Sequence, residues 1–104
     1  MALRKELIEI ILNRTRERKL SWTELSNTGF ITKISPNSIT IDLTNREQYL
    51  LTVTDDHGTI LERTDTHQWD SEAGLLKEIY ELVRRQALQI DDVLVTLKRN
   101  LQEL

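Results

Sequence analysis

Two short polar segments contain the residues whose types could support chemistry, Asp55-Asp56-His57 and Asp65 with His67. A histidine beside carboxylates can serve general acid–base catalysis or bind a metal ion. The first segment precedes Gly58, and Asp is favoured there because its carboxylate hydrogen-bonds the backbone of a turn. The second segment lacks a third ligand at a recognised metal spacing. We therefore expect no catalytic residue, no metal site and no cofactor.

The composition excludes further classes of chemistry. The 104 residues include no cysteine, which rules out disulfides, thiolate nucleophiles and cysteine-ligated zinc. The three glycines are isolated from one another, so there is no glycine-rich phosphate loop. A net charge of −3 gives no global basic field for nucleic acid or anionic lipid. These features favour a single domain over residues 1–104 that is not an enzyme and has no evident small-molecule ligand.

The chain also lacks the signals of membrane insertion and export. No segment approaches the ~18 uninterrupted apolar residues that a membrane span needs. The N-terminal segment MALRKELIEIIL is charged every few residues and has no signal-peptide core. We expect a cytoplasmic protein without a membrane partner.

A cluster of cations ends the first predicted helix, and its members are Arg14, Arg16, Arg18 and Lys19. Cations at a helix C-terminus interact favourably with the helix dipole, which explains the cluster without any function. The same side chains could instead contact phosphates, as anion or nucleic-acid ligands. The segment 20–71 opposes this second interpretation, because it carries three basic residues against eight acidic ones. Weak nucleic-acid binding through the basic cluster is therefore the alternative function.

Three amphipathic helices are predicted from apolar spacing. The first covers residues 2–19, and the second runs from about 72 to 88 with Asp70 or Ser71 as its cap. The third reaches Leu104 with Asp91 as its cap. No glycine or proline enforces a break at 89–92, so one long bent helix is an alternative. The expected buried residues of the first two helices are Leu3, Leu7, Ile8, Ile10, Ile11 and Leu12, then Leu76, Ile79, Tyr80, Val83 and Ala87.

Between the first two helices, residues 30–64 predict a four-stranded antiparallel meander. The turn Ser35-Pro36-Asn37-Ser38 would pair Ile34 with Ile39, and a loop at 45–47 would pair Leu43 with Tyr49. The turn at Asp56-His57-Gly58 would place Val53 opposite Leu61. Trp22, in the connector before the meander, is expected at the edge of the core. The predicted inner face consists of Phe30, Ile34, Ile39, Ile41, Leu43, Tyr49, Leu51, Val53 and Leu61.

The last predicted helix carries a stripe that the sheet has little room to bury. Four strands ~4.8 Å apart make a sheet under 20 Å wide, and two helices ~8–10 Å apart nearly fill one face. The third stripe is therefore expected to bind a protein partner or to form a homodimer. Its members are Leu94, Leu97, Leu101 and Leu104.

Several segments together resemble small bacterial proteins and appended domains with a helix–meander–helix pattern. They are Lys19-Leu20-Ser21-Trp22, the hairpin at Thr54-Asp55-Asp56-His57-Gly58, and the segment from Tyr80 to Leu88 that leads into Ile90-Asp91-Asp92. The resemblance covers most of the chain and implies no catalytic or binding residue. The sequence thus predicts an α+β fold with a helix, a four-stranded antiparallel meander and two C-terminal helices, with helices on one face of the sheet. The function that it favours is a non-catalytic protein-interaction or regulatory module.

Overall fold

The structure, a computed structural model, describes residues 3–66 and 72–104. The fold is α+β, with one N-terminal helix, an antiparallel sheet and two C-terminal helices, as predicted. His67 and the predicted caps Asp70 and Ser71 lie outside the described residues. The elements are α1 (Leu3–Arg16), β1 (Trp22–Glu24), β2 (Gly29–Ile34), β3 (Asn37–Leu43), β4 (Tyr49–Thr54), β5 (Ile60–Thr66), α2 (Ala73–Ala87) and α3 (Ile90–Gln102).

The sheet has five described strands in the order β1-β2-β3-β4-β5, so the prediction of four was wrong. The additional strand is β1, which lies in the segment predicted as a connector. Trp22 pairs with Thr32 and Glu24 with Phe30, and a backbone hydrogen bond of 2.9 Å from Leu25 to Gly29 closes the hairpin. A strand of three residues is too short to show the period-two alternation by which strands are recognised.

The register of the central strands is partly as predicted. Leu43 pairs with Tyr49, and the rest of the β3–β4 pairing follows the prediction. Between β2 and β3 the predicted register was wrong by two residues, because Ile34 pairs with Asn37 rather than with Ile39. Pro36 follows a cis peptide bond and occupies the third position of this turn instead of the second. Since a shift of two residues preserves the side-chain faces, the inner face is nearly unchanged.

A bulge in the last hairpin makes the predicted pair of Val53 and Leu61 wrong. Thr54 pairs with Ile60 while Val53 pairs with Glu62, so Leu61 is the extra residue. Leu61 is 56% exposed instead of lying in the core. Ile34, also predicted on the inner face, is 45% exposed at the tip of its hairpin.

Helix α2 packs on one face of the sheet and contacts β1, β2, β3 and β4. Its predicted stripe is confirmed, with Leu76, Ile79, Tyr80 and Val83 buried and Ala87 half-buried. The ring of Tyr80 lies 5.8 Å from Phe30 and 5.7 Å from Tyr49, measured between centroids. These edge and tilted contacts are the favourable geometry for aromatic pairs. The centre of the core is therefore this aromatic group together with the α2 stripe.

Helix α1 packs against α2, but its buried face differs from the prediction. The buried residues are Ile8, Ile11, Leu12 and Thr15, whereas Leu3, Leu7 and Ile10 are exposed. Thr15 decides the orientation, because its hydroxyl accepts a 3.2 Å hydrogen bond from the indole Nε1 of Trp22. The side chain of Gln86 donates a 2.8 Å hydrogen bond to the Thr15 carbonyl. Trp22 is buried at the sheet edge, as predicted.

Candidate functional site

Helix α3 contains no buried residue, in contrast to α1 and α2. The four predicted partner-binding leucines, which we call the leucine seam, are all exposed. Leu94 is 51% exposed, Leu97 50%, Leu101 59% and Leu104 100%, whereas Leu76 in the first turn of α2 is 0% exposed. The core therefore leaves out the third apolar stripe. The seam lies on a helix whose packed neighbour is α2, at the α2–α3 junction.

The surroundings of the leucine seam define its shape and charge. Val93, 59% exposed, widens the apolar surface on one side. A groove of about 360 Å³ runs along this side of the helix, with Val93, Leu97 and Asn100 in its lining. On the other side, Asp91 and Lys98 stand one above the other, because a spacing of seven residues is two helical turns. The surface is thus an apolar strip with an acidic and a basic group along one edge.

The α2–α3 junction depends on one residue with left-handed backbone geometry. Gln89 has φ 51° and ψ 44°, so the chain forms two helices rather than one bent helix. The backbone N–H of Leu88 donates to the Arg84 carbonyl at 3.1 Å, which closes α2. Asp91 was predicted to cap α3, but Gln89 occupies the cap position without a side-chain hydrogen bond. The prediction failed because the helix begins earlier, at Ile90, which places Asp91 within the first turn.

Asp91 has a different role in the described contacts. Its Oδ1 atom accepts a hydrogen bond from Nη2 of Arg85 at 3.1 Å, and both side chains are more than half exposed. This ion pair joins the last turn of α2 to the first turn of α3. Beside it lies a cleft of about 220 Å³ that Arg18 and Asp92 help to line. The pair holds the Asp91 carboxylate at the base of the leucine seam.

The predicted basic cluster lies at the end of α1, and most of its charge is paired within the chain. Arg14 forms an ion pair with Glu17 at 2.5 Å, and Lys19 lies 3.8 Å from the same carboxylate. Arg16 forms an ion pair with Glu78 of α2. The hydrogen bond from Arg14 lowers the pKa of the Glu17 carboxyl below its usual value. These carboxylates compete with any phosphate for the same cations.

Arg18 has no ion pair among the described residues and follows α1 with a positive φ of 57°. The structure thus brings the four cations to one end of α1 and provides internal partners for three of them. Nucleic-acid binding stays a prediction that these contacts do not favour.

The Asp55-Asp56-His57 segment serves the hairpin turn, as predicted. The Asp55 carboxylate accepts hydrogen bonds from the backbone N–H groups of His57 at 2.9 Å and Thr59 at 2.8 Å. Gly58 has a φ of +83°, which completes the turn at low steric cost. The His57 side chain is 83% exposed and lies 3.6 Å from Asp56. In the described part of the chain, no three metal-ligating side chains converge.

A second apolar surface was not expected from the sequence. It consists of Leu3, Leu7 and Ile10 on α1, which are 68%, 36% and 52% exposed. Arg4 crosses from this helix to β5 and forms a 2.8 Å ion pair with Glu62. Leu3 and Leu7 line a cleft with Glu72, the first described residue after the interval 67–71.

Comparison with known protein families, with curated proteins and with solved structures finds no match. The resemblance to bacterial helix–meander–helix proteins therefore stays a prediction. Within residues 3–66 and 72–104, no helix has both the length and the apolar character that crossing a membrane requires.

Proposed function

We propose that this protein is a non-catalytic interaction module of the cytoplasm that associates with a second copy of itself through the leucine seam. The observation that supports the proposal is the exposure of α3, a helix with no buried residue and a continuous apolar strip. Large contiguous apolar surfaces on soluble domains are usually interaction sites, because leaving them in water is costly. Among the described residues the apolar face of α3 is not buried in the core, and the same face of a second helix would cover it.

The size of the surface predicts a weak association. Thirteen residues make a helix about 20 Å long, so a pair of such helices falls below the ~1,200 Å² of a standard interface. Burying the exposed half of each seam leucine contributes about 1 kcal/mol per side chain. Eight leucines from two copies give about 8 kcal/mol, against an association cost of about 4–15 kcal/mol. At the low end of that cost about 4 kcal/mol remains in favour of the dimer, so we expect a concentration-dependent dimer with a Kd of about 1 mM.

Multi-angle light scattering over a range of about 10 μM to 1 mM tests the proposal with the double variant Leu97→Glu/Leu101→Glu. The matched control is Arg99→Glu, which changes the charge by the same amount at an exposed position on the side of α3 opposite the seam. Wild type and the control are expected to shift toward the dimer mass as concentration rises. The seam variant is expected to keep the monomer mass, because four carboxylates would face one another in the interface. A monomeric wild type, or a seam variant that still dimerises, would refute the proposal.

A further inference from the structure

The seam has a periodicity that specifies how a second helix can lie on it. Ile90, Leu94, Leu97, Leu101 and Leu104 follow alternating steps of four and three residues. This 3.5-residue spacing is the pattern of a two-helix coiled-coil interface. Ile90 is half-buried at the α2–α3 junction, so it extends the leucine seam to the body of the domain. The residues beside such a seam determine the orientation of the partner.

The flanking residues are arranged so that two copies of α3 complement each other only in one direction. Asp91 lies near the start of the helix and Lys98 near its end, on the same edge of the leucine seam. The residues that flank the seam on the other edge are Val93 and Asn100, which bear no charge, and Asp92, which lines the same groove, lies farther around the helix from the seam. Resting on the self-association proposed above, we infer that two copies pair through antiparallel α3 helices, with Asp91 of each copy against Lys98 of the other.

The register follows from the positions of these charges. Placing Asp91 beside Lys98 of the second copy sets Leu94 against Leu97 of that copy, and Ile90 against Leu101. By the two-fold symmetry every contact occurs twice, which gives four apolar layers and two ion pairs. Val93 then meets Asn100 on the uncharged edge. The apolar layers and the charged edge therefore agree on one register.

Other arrangements leave the charges without opposite partners or bring like charges together. In a parallel pair the charged edge of each helix lies beside the uncharged edge of the other, so Asp91 and Lys98 gain no ion pair, and the two helix dipoles are aligned side by side. An antiparallel pair shifted toward the C-terminus, with Leu97 against Leu101, would bring the two Lys98 ammonium groups together. The parallel pair is therefore disfavoured by the loss of both ion pairs, and the shifted register by a like-charge contact across the interface. The charge pattern thus discriminates both orientation and register.

Contacts within each copy prepare the acidic end of this interface. The ion pair between Arg85 and one carboxylate oxygen of Asp91, at 3.1 Å, fixes the carboxylate at the start of α3. The second oxygen of Asp91 remains available to the ammonium group of Lys98 from the second copy. The left-handed geometry of Gln89 sets the direction in which α3 leaves the body. Because the ion pair and the Gln89 geometry are present before association, they reduce the conformational entropy that the chain loses on binding.

Charge reversal tests the ion pairs by sedimentation equilibrium of the full chain. Asp91→Lys and Lys98→Asp are each expected to weaken dimerisation by about tenfold, because each replaces two attractive contacts with repulsive ones. The double variant Asp91→Lys/Lys98→Asp restores both pairs in the antiparallel dimer and is expected to recover most of the affinity. Unchanged dimerisation in the single variants, or no recovery in the double variant, would overturn the antiparallel inference.

Disulfide cross-linking measures the orientation directly, because the natural chain contains no cysteine. Leu101→Cys mixed with Ile90→Cys is expected to form a disulfide-linked heterodimer on mild oxidation. Leu101→Cys alone is not expected to form a disulfide. In the antiparallel pair the cysteines of the two copies are offset by eleven residues, or about 16 Å, along the helix axis. Arg99→Cys, on the side of α3 away from the seam, is the negative control. Efficient cross-linking of Leu101→Cys alone would indicate a parallel dimer and overturn the inference while leaving the proposed function intact.

The two remaining outcomes bear on the proposed function itself. If no variant cross-links and wild type is monomeric by sedimentation, the proposed function fails together with the inference. If no variant cross-links but wild type sediments as a dimer, the interface lies elsewhere, for example on the exposed Leu3 and Leu7 of α1.

Discussion

Replacing one leucine of α2 and one leucine of α3 by alanine separates the core from the interaction surface. Leu76 on α2 is 0% exposed, whereas Leu97 on α3 is 50% exposed. Leu76→Ala leaves a cavity beneath α2 and is expected to cost about 2–5 kcal/mol of unfolding free energy. Leu97→Ala removes a side chain that is not part of the hydrophobic core cluster. For a monomer we expect a change within about 0.5 kcal/mol, because alanine is also a good helix former.

The same substitution has a larger effect on association. Each copy in the dimer loses about 1 kcal/mol of apolar burial at position 97, so the dimer loses about 2 kcal/mol. This corresponds to a Kd about 30-fold weaker for Leu97→Ala. Leu97→Ala is therefore expected to weaken dimerisation strongly while it changes the unfolding free energy of the monomer very little.

Urea denaturation at low micromolar concentration, followed by far-ultraviolet circular dichroism, measures the unfolding free energies of both variants. Sedimentation equilibrium measures their dimerisation. If Leu97→Ala lowers the stability of the dilute monomer by as much as Leu76→Ala, then α3 is packed on the domain and the reasoning is refuted. The same follows if Leu97→Ala leaves the Kd unchanged, because then the seam is not the interface.

Three further predictions concern the scaffold. Gly58→Ala is expected to lower the unfolding free energy by about 1 kcal/mol in urea titration, because φ at this position is +83° although there is open space for a methyl group. Gln89→Gly is expected to raise it by up to about 1 kcal/mol in the same assay, since glycine adopts the left-handed geometry without a side-chain clash; a loss of stability would contradict the junction geometry. Burial raises the pKa of Tyr49 and of Tyr80 above 10.0, so their contribution to stability is fully present below pH 10 and is lost as the pH rises through the raised pKa values. Thermal melts from pH 9 to pH 12 are expected to show this loss of stability, and the loss is expected to be smaller in Tyr80→Phe. An equal loss in Tyr80→Phe would contradict the assignment of the pH dependence to Tyr80.

The inner face of the sheet was predictable because independent constraints agree on it. The β3–β4 pairing was correct, since its hairpin loop and the alternation of apolar residues specify the same register. The error of two residues at Ser35-Pro36 preserved this face. The bulge at Leu61 was not predictable, because a one-residue insertion after the Gly58 turn leaves no compositional mark.

The orientation of α1 depends on a tertiary contact that periodicity cannot detect. Leu3, Leu7 and Ile10 match a helical stripe as well as the residues that are actually buried. The hydrogen bond between Trp22 and Thr15 selects the other face, and Thr15 is polar, so spacing alone would not place it in the core. The break at Gln89 was likewise uncertain, because glycine, the usual residue at such a geometry, is absent.

The surplus of one apolar helix could be predicted from the dimensions of the sheet and the number of stripes. Apolar spacing alone predicts the leucine seam, but it does not predict the charges beside it. Asp91 was predicted to cap α3, and the sequence pattern predicts no role for Lys98. Their seven-residue spacing on one edge of the seam was visible in the sequence, but its meaning depends on α3 being a separate, exposed helix.

Hydrogen–deuterium exchange of wild type over a dilution series tests the central claim most directly. An isolated helix of 13 residues is only marginally stable in water, so the amides of α3 should be poorly protected in the monomer. Self-association through the leucine seam predicts that protection at residues 90–104 rises with protein concentration while protection of α2 stays constant. Protection of α3 that is the same at all concentrations would contradict the claim that this helix is where a second copy binds.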